Sequence, residues 1–217
     1  MKIAQEALPF VAILGVSMLA VGALTHVAFA ATFAVLLLFT LWFFRDPERR
    51  TPEDPHALIS PADGKILRAD RNEISVFMNV FDVHVCRSPI AAEVAAVDHR
   101  SGRFLAAYKD AASDYNERVS IELRDGQRKL TFTLVAGLIA RRIVCRVTPG
   151  QRLRAGERIG LIRFGSRVDV ILPPGSTPQV RPGQRVVAGV TVLARVAGGS
   201  QDAGPGREPA AAGSRHA

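Results

Sequence analysis

Gly165-Ser166 is the pair in this 217-residue chain whose types and setting point most directly to chemistry. From Leu161 to Pro173 the chain reads as one strand, with Ile162, Phe164, Val168, Val170 and Leu172 sharing parity. A glycine inside a strand marks a bulge or a close backbone approach. A serine hydroxyl beside a strained peptide can attack the preceding carbonyl. The expectation is that the chain cuts itself between Gly165 and Ser166 and that Ser166 becomes the working group of an enzyme. His84 is the second candidate. Strand alternation through Asp82-Val83-His84-Val85-Cys86-Arg87 puts Asp82, His84 and Cys86 on one face, where a carboxylate could orient the imidazole. The stretch from Leu58 to Leu67, containing Ser60-Pro61-Ala62-Asp63-Gly64-Lys65, reads as strand, turn, strand. The residues alone read Asp63-Gly64 as a plain hairpin turn.

Several chemistries have no sequence support. No glycine-rich phosphate loop, HExxH, GxSxG or paired-cysteine motif is present. An enzyme without these fingerprints directs attention to a cofactor made from its own chain. Cys86 and Cys145 are far apart in apolar settings and read as buried free thiols in a reducing compartment, with no metal site. The net charge of +8 comes mostly from arginine; the lysines are Lys2, Lys65, Lys109 and Lys129. Without long basic runs or interleaved aromatics, nucleic acid is not an expected partner, whereas an anionic membrane surface suits the charge.

The elements that must hold these residues begin with an apolar block. From Ala7 to Phe44 no residue is charged if His26 is neutral. This exceeds the roughly 20 residues needed to span a bilayer once. Its length also disfavours a cleaved signal peptide. Two short spans fit best, Leu8–Gly22 and Val27–Phe44, around a turn at Ala23–His26, with one long tilted span or a re-entrant hairpin as alternatives. Trp42, Phe43 and Phe44 form an aromatic exit, and Arg45, Arg49 and Arg50 mark that end as cytoplasmic. Residues 1–44 are therefore read as a membrane anchor of one or two helices. Residues 45–57 read as a proline-punctuated linker and 58–197 as the catalytic β domain. Within it, residues 101–116 are a candidate mobile lid, and Val119–Leu123 with Leu130–Leu134 form a hairpin. Val147–Gly156 recurs as Val180–Gly189, with one copy on each side of Gly165-Ser166. The expected fold is mainly β: a barrel-sandwich-hybrid-like (lipoyl-like) domain behind an N-terminal membrane-embedded α-helical hairpin. Residues 198–217 read as a disordered tail. A membrane-tethered lipoyl-like carrier is the non-enzymatic alternative, but no lysine lies between the repeats to carry a group.

Six segments, in order, give the chain a resemblance to a known family. They are Phe44-Arg45-Asp46-Pro47; Ser60-Pro61-Ala62-Asp63-Gly64-Lys65; Phe81-Asp82-Val83-His84-Val85 with Arg87-Ser88-Pro89; Asn116-Glu117-Arg118; Ala136 to Ile143; and Arg163 to Asp169. Together they resemble the short bacterial form of the phosphatidylserine decarboxylase proenzymes, which are pyruvoyl-dependent. The resemblance implies cleavage between Gly165 and Ser166 into a β chain of 1–165 and an α chain of 166–217 that stay together as a heterodimer. Ser166 would become a covalent pyruvoyl group, form a Schiff base with the serine head group and act as electron sink for loss of CO2. It implies a phospholipid substrate and an inner-membrane enzyme whose catalytic domain faces the cytoplasm. The same chemistry on another serine lipid, such as archaetidylserine, remains open. His84 matches the first of two histidines in longer family members and is the candidate general acid. Arg87 stands where those members carry the second, associated with self-cleavage, so His84 is a candidate for both steps. Asp63 matches the family's acid in the Pro-x-Asp-Gly turn. Arg167, Arg118 and Arg163, with Arg141 and Arg142, are candidates for the lipid phosphate or the substrate carboxylate.

Overall fold

The structure is a computed structural model that describes residues 2–24, 27–102, 107, 115–126, 128–137, 142–163 and 165–196. Residues of the expected tail, most of the expected lid and Arg141 lie outside the described residues.

The chain opens with strand β1 (Lys2–Ile3), a short 3-10 turn, and helices α1 (Leu8–Leu24) and α2 (Val27–Phe43). Both helices are apolar on every face. Leu8, Ile13, Val16, Leu19, Leu24, Phe29, Val35 and Leu38 are all 60% or more exposed. A soluble helix would bury such side chains in a core. The stretch Gln5–Leu24 is long and apolar enough to cross a membrane; the second helix is shorter. The helices lie side by side, with Gly22 against Ala30. The hairpin is closed at its base by pairing of β1 with β2 (Arg45–Asp46) and by the Ala4 amide donating to the Phe44 carbonyl.

Fourteen further strands follow among the described residues: β3 (Ala57–Ile59), β4 (Gly64–Ala69), β5 (Glu73–Met78), β6 (Val85–Arg87), β7 (Ala92–Arg100), β8 (Arg118–Asp125), β9 (Arg128–Val135), β10 (Ile143–Cys145), β11 (Arg152–Leu153), β12 (Arg158–Ile162), β13 (Ser166–Ile171), β14 (Ser176–Pro178), β15 (Arg185–Val186) and β16 (Val192–Val196). Eight make one antiparallel sheet in the order β11-β7-β8-β9-β13-β5-β4-β15. Two three-stranded sheets, β10-β12-β6 and β14-β16-β3, complete the domain. The expected β8–β9 hairpin forms, its clean alternation burying Val119, Ile121 and Leu123 with Leu130, Phe132 and Leu134. Burying a side chain such as Phe132 fully is worth about 1.5–3 kcal/mol.

Two stretches read as continuous from sequence are divided between sheets. Leu161–Pro173 is not one strand: β12 belongs to a three-stranded sheet and β13 to the eight-stranded one, with Gly165 at the corner. Likewise β3 and β4 flank Ser60-Pro61 without pairing as a hairpin. The Ser60 hydroxyl donates to the Ala62 carbonyl at 2.7 Å, turning the chain into the next sheet.

The recognised repeat has a structural counterpart. Strand β11 of the first copy and β15 of the second form the opposite edges of the large sheet. A second duplication accompanies it, 28 residues apart: Asp54-x-His56-x-x-x-Ser60-Pro61 and Asp82-x-His84-x-x-x-Ser88-Pro89. These segments lead into β3 and β6. The Ile59 amide donates to the Pro89 carbonyl, and the Arg87 amide donates to that of Pro61. Gly189 and Gly156 donate in matching fashion to the Ser60 and Ser88 carbonyls.

Candidate active site

At the centre of the site, Gly165 has φ +66°, the left-handed region in which a side chain would be strained. It lets the chain leave β12 and enter β13 within three residues. The carbonyl of Gly165 lies directly against Gly137: a Cβ on Gly137 would fall 1.8 Å from that oxygen. Glycine is thus required on both sides of this approach. Ser166 then starts β13, fully buried, opposite Met78 of β5. Its hydroxyl donates to the Met78 sulfur at 3.2 Å, a weak acceptor that is easily exchanged.

His84 reaches the same corner from the position just before β6. The Gly165 amide lies 3.4 Å from His84 Nε2 and donates to it. His84 Nδ1 lies 2.9 Å from the Asp82 carbonyl oxygen, which can only accept. The proton is therefore on Nδ1, leaving the Nε2 lone pair toward Gly165. The orienting group is the Asp82 backbone rather than its carboxylate. That carboxylate accepts from the Asn79 amide at 2.9 Å and pairs with Arg185. The imidazole packs against Phe43, the last residue of α2, with ring centroids 4.5 Å apart. Burial pushes the His84 pKa down to about 4, so the ring is neutral near pH 7.

Asp63 occupies a different position. Its carboxylate accepts from the Ala188 amide at 2.7 Å and from Arg49 at 2.9 Å, and it makes no hydrogen bond to His84 or Ser166. Burial raises its pKa above the ordinary carboxylate value despite the Ala188 amide and Arg49. Asp63 ties the β3–β4 corner to the second repeat and to the segment after α2.

The arginines separate in the same way. Arg167 is buried, with Nε on Asp169 and a terminal nitrogen on the Ala107 carbonyl at 3.1 Å. Arg118 is half-buried in β8, in register with Arg100 and Val135. Arg163 holds its guanidinium 5.7 Å above the Phe10 ring in the first turn of α1, and its buried Nε has no hydrogen-bond partner among the described residues. Arg142 is exposed. Arg87 is buried and structural: it donates to the Gly156 and Pro47 carbonyls and pairs with Asp46. Met78, Gly137 and Phe43 are the site residues that the sequence reading did not assign. Gly137 lies in a quoted segment, but no local pattern reveals its contact with Gly165.

Comparison with known proteins follows the same lines. The family model for phosphatidylserine decarboxylase matches residues 36–194. The chain is 43% identical over 206 residues to the phosphatidylserine decarboxylase proenzyme of Desulfotalea psychrophila, covering 89% of this chain and 96% of the relative. It is 45% identical to that of Symbiobacterium thermophilum, covering 89% and 95%. Against that of Burkholderia vietnamiensis it is 44% identical, covering 89% and 96%.

Proposed function

The chain belongs to the phosphatidylserine decarboxylase family and is a decarboxylase; on that premise we propose that it cuts itself at Gly165-Ser166 and uses a pyruvoyl group made from Ser166 to convert phosphatidylserine to phosphatidylethanolamine. The observation that carries this reading is the corner itself. A left-handed Gly165, a buried Ser166 and a neutral His84 nitrogen 3.4 Å from the Gly165 amide meet there.

Self-cleavage needs the Ser166 hydroxyl to leave Met78 and attack the Gly165 carbonyl carbon. The hydroxyl proton leaves as the C–O bond forms, and the Gly165–Ser166 C–N bond breaks with the serine nitrogen taking a proton. The result is an ester. Loss of the Ser166 Cα proton expels the Gly165 carboxylate and leaves a dehydroalanine. Addition of water and loss of ammonia then give the ketone. Neutral His84 is suited to take a proton in this sequence, and it remains the candidate base because Arg87 is committed to Asp46 and two carbonyls. The absence of a side chain on Gly137 is what allows the Gly165 carbonyl to sit where it does.

The site fits the resulting group. Residue 166 is buried beside an apolar sulfur and a neutral imidazole, with no carboxylate hydrogen-bonded to either the serine or the imidazole. The pyruvoyl group would supply a carbonyl that binds the substrate amine and takes up the electron pair left by departing CO2. His84 is proposed to accept the proton that the substrate ammonium must lose. It then returns a proton to the carbon that held the carboxylate. Arg163, near the base of α1, and Arg118 are retained as candidates for substrate anions, whereas Arg167 is engaged by Asp169 and Ala107. Asp63 is proposed to support the site through the Ala188 corner.

The two chains would remain together after the cut, because β13 pairs with β5 and β9, while β15 and β16 pair with β4 and β3. We read the domain as lipoyl-like, on the duplicated edge strands and matched serine-proline corners. The α1–α2 hairpin would sit in the inner membrane with the β domain on the cytoplasmic side. The stretch Gln5–Leu24 reaches about 30 Å at 1.5 Å per residue, matching the hydrocarbon core, whereas α2 at about 25 Å falls short of it.

Intact mass under denaturing conditions tests the proposal. Two chains breaking at 165/166, the smaller without an amino terminus, are expected. Ser166→Ala should remain one chain and lose decarboxylation by at least about a thousandfold. A single unmodified wild-type chain would defeat the reading.

A further inference from the structure

Phe81 is the most exposed large apolar side chain outside the two helices among the described residues, at 67%. Its exposure is built in rather than a result of slack. The Phe81 amide donates to the Asn79 side chain at 2.7 Å, the Asp82 amide donates to the Asn79 carbonyl, and Arg45 donates to the Phe81 carbonyl at 2.7 Å. A turn held at this many points presents its ring at a fixed place. That place adjoins α2: the Phe81 ring meets Trp42 edge-on, centroids 6.0 Å apart, and Trp42 meets Phe39 one turn earlier. The neighbouring Val80 packs into the cluster at the hairpin base.

The duplication supplies an internal control. The position equivalent to Phe81, 28 residues earlier, is Glu53, which is also exposed. The same frame therefore presents a charge at one end and a phenyl ring at the end that carries the apolar helices. Aromatic rings beside a basic residue are favoured at the bilayer interface, and Arg45 lies 4.2 Å over the Trp42 ring.

We propose that Phe81, together with Trp42, inserts into the headgroup boundary of a phospholipid bilayer, so that the turn orienting His84 is itself docked on the membrane. The proposal rests on the reading of the hairpin as membrane-embedded and extends it to the catalytic domain. Phe81 is a positioning residue. It sets the height of the Asp82–His84 segment above the lipid, and the serine head group would enter from the bilayer side rather than from free solution.

The chain has one tryptophan, which makes a direct test possible. The full chain carrying Trp42→Phe and Phe81→Trp is reconstituted in phosphatidylcholine vesicles with and without lipid brominated near the top of its acyl chains. Emission from position 81 is expected to shift to the blue and to fall by about half or more with the brominated lipid. Trp42→Phe with Glu53→Trp should remain unquenched. No quenching at 81, or equal quenching at 53, overturns the proposal. Phe81→Asp gives a second measurement: the apparent KM for phosphatidylserine in vesicles should rise about tenfold with kcat retained, equivalent to roughly 1.4 kcal/mol of lost surface binding. An unchanged KM overturns it too. A chain that never cuts at 165/166 would remove the self-processing reading while leaving the fluorescence to decide the membrane contact.

Discussion

His84 and His56 occupy equivalent places in two copies of one frame, yet only His84 is buried against Gly165. Each follows an aspartate by two residues and leads into a strand ending at Ser-Pro. Each has its carbonyl taken by a strand of the matching sheet, Ile162 donating to His84 and Val196 to His56. Each aspartate pairs with an arginine, Asp82 with Arg185 and Asp54 with Arg195. The difference is what lies over the ring. His84 is covered by Phe43 and the Gly165 corner, whereas His56 is exposed. Burial fixes the imidazole, keeps it neutral and excludes water; the exposed copy has none of these constraints. A duplicated backbone thus supplies the position, and neighbours from elsewhere in the chain supply the environment in which the proposed chemistry would run.

The substitutions that break this comparison most strongly are at the histidines. His84→Ala should lower kcat for decarboxylation by about a hundredfold to ten-thousandfold, the usual contribution of general acid–base catalysis. His56→Ala should leave it within about twofold, since exposed positions seldom contribute. Intact mass gives the fraction cut at 165/166 and turnover per cut chain gives kcat; comparable losses in the two variants, in cutting and in turnover, would mean that the two sites are not functionally distinct.

A second contrast lies three residues further on. The first copy has Ile59 and the second has Arg87, each buried. Arg87→Met should destabilise the fold by about 3 kcal/mol. It strands the Gly156 and Pro47 carbonyls, while Asp46 keeps Arg158. Thermal unfolding in detergent reads this, and an unchanged Tm would show that water replaces the arginine without cost.

Acid sharpens the same comparison. Between pH 6.5 and about 4 the unfolded chain binds a proton at His84 that the folded chain refuses. Stability is therefore complete above the unfolded value and falls as pH drops through this window, by roughly 3 kcal/mol in total. Asp63 acts in the opposite sense: its raised pKa makes the folded state bind a proton more readily, which offsets part of the loss. In the uncut Ser166→Ala background, His84→Gln should flatten the dependence of unfolding on pH over this window. A slope that persists would assign it to other groups.

The parts of the fold legible in sequence were those set by neighbours along the chain. The charge-free block from residue 7 to 44 dictates helices that cannot be accommodated in a soluble core. Alternation through 119–123 and 130–134 dictates a hairpin, because period-2 burial leaves one register. Gly165 was legible as an interruption. Its reading as a bulge in one strand failed because alternation continues on both sides of a corner, and parity does not reveal a change of sheet. The carboxylate of Asp82 was expected on the imidazole, but its closest partners are Asn79 and Arg185, and the backbone carbonyl does the orienting.

The sequence by itself determined the residue types at the proposed cut, the apolar hairpin and the duplicated corners, since these depend on side-chain chemistry and short-range backbone preference. Only the tertiary structure decided which histidine meets Gly165, that Gly137 must lie beneath its carbonyl, and that Phe43 seals the imidazole. Those contacts join segments 28 to 81 residues apart. Their geometry follows from sheet order and packing, which local preferences constrain but do not encode one contact at a time.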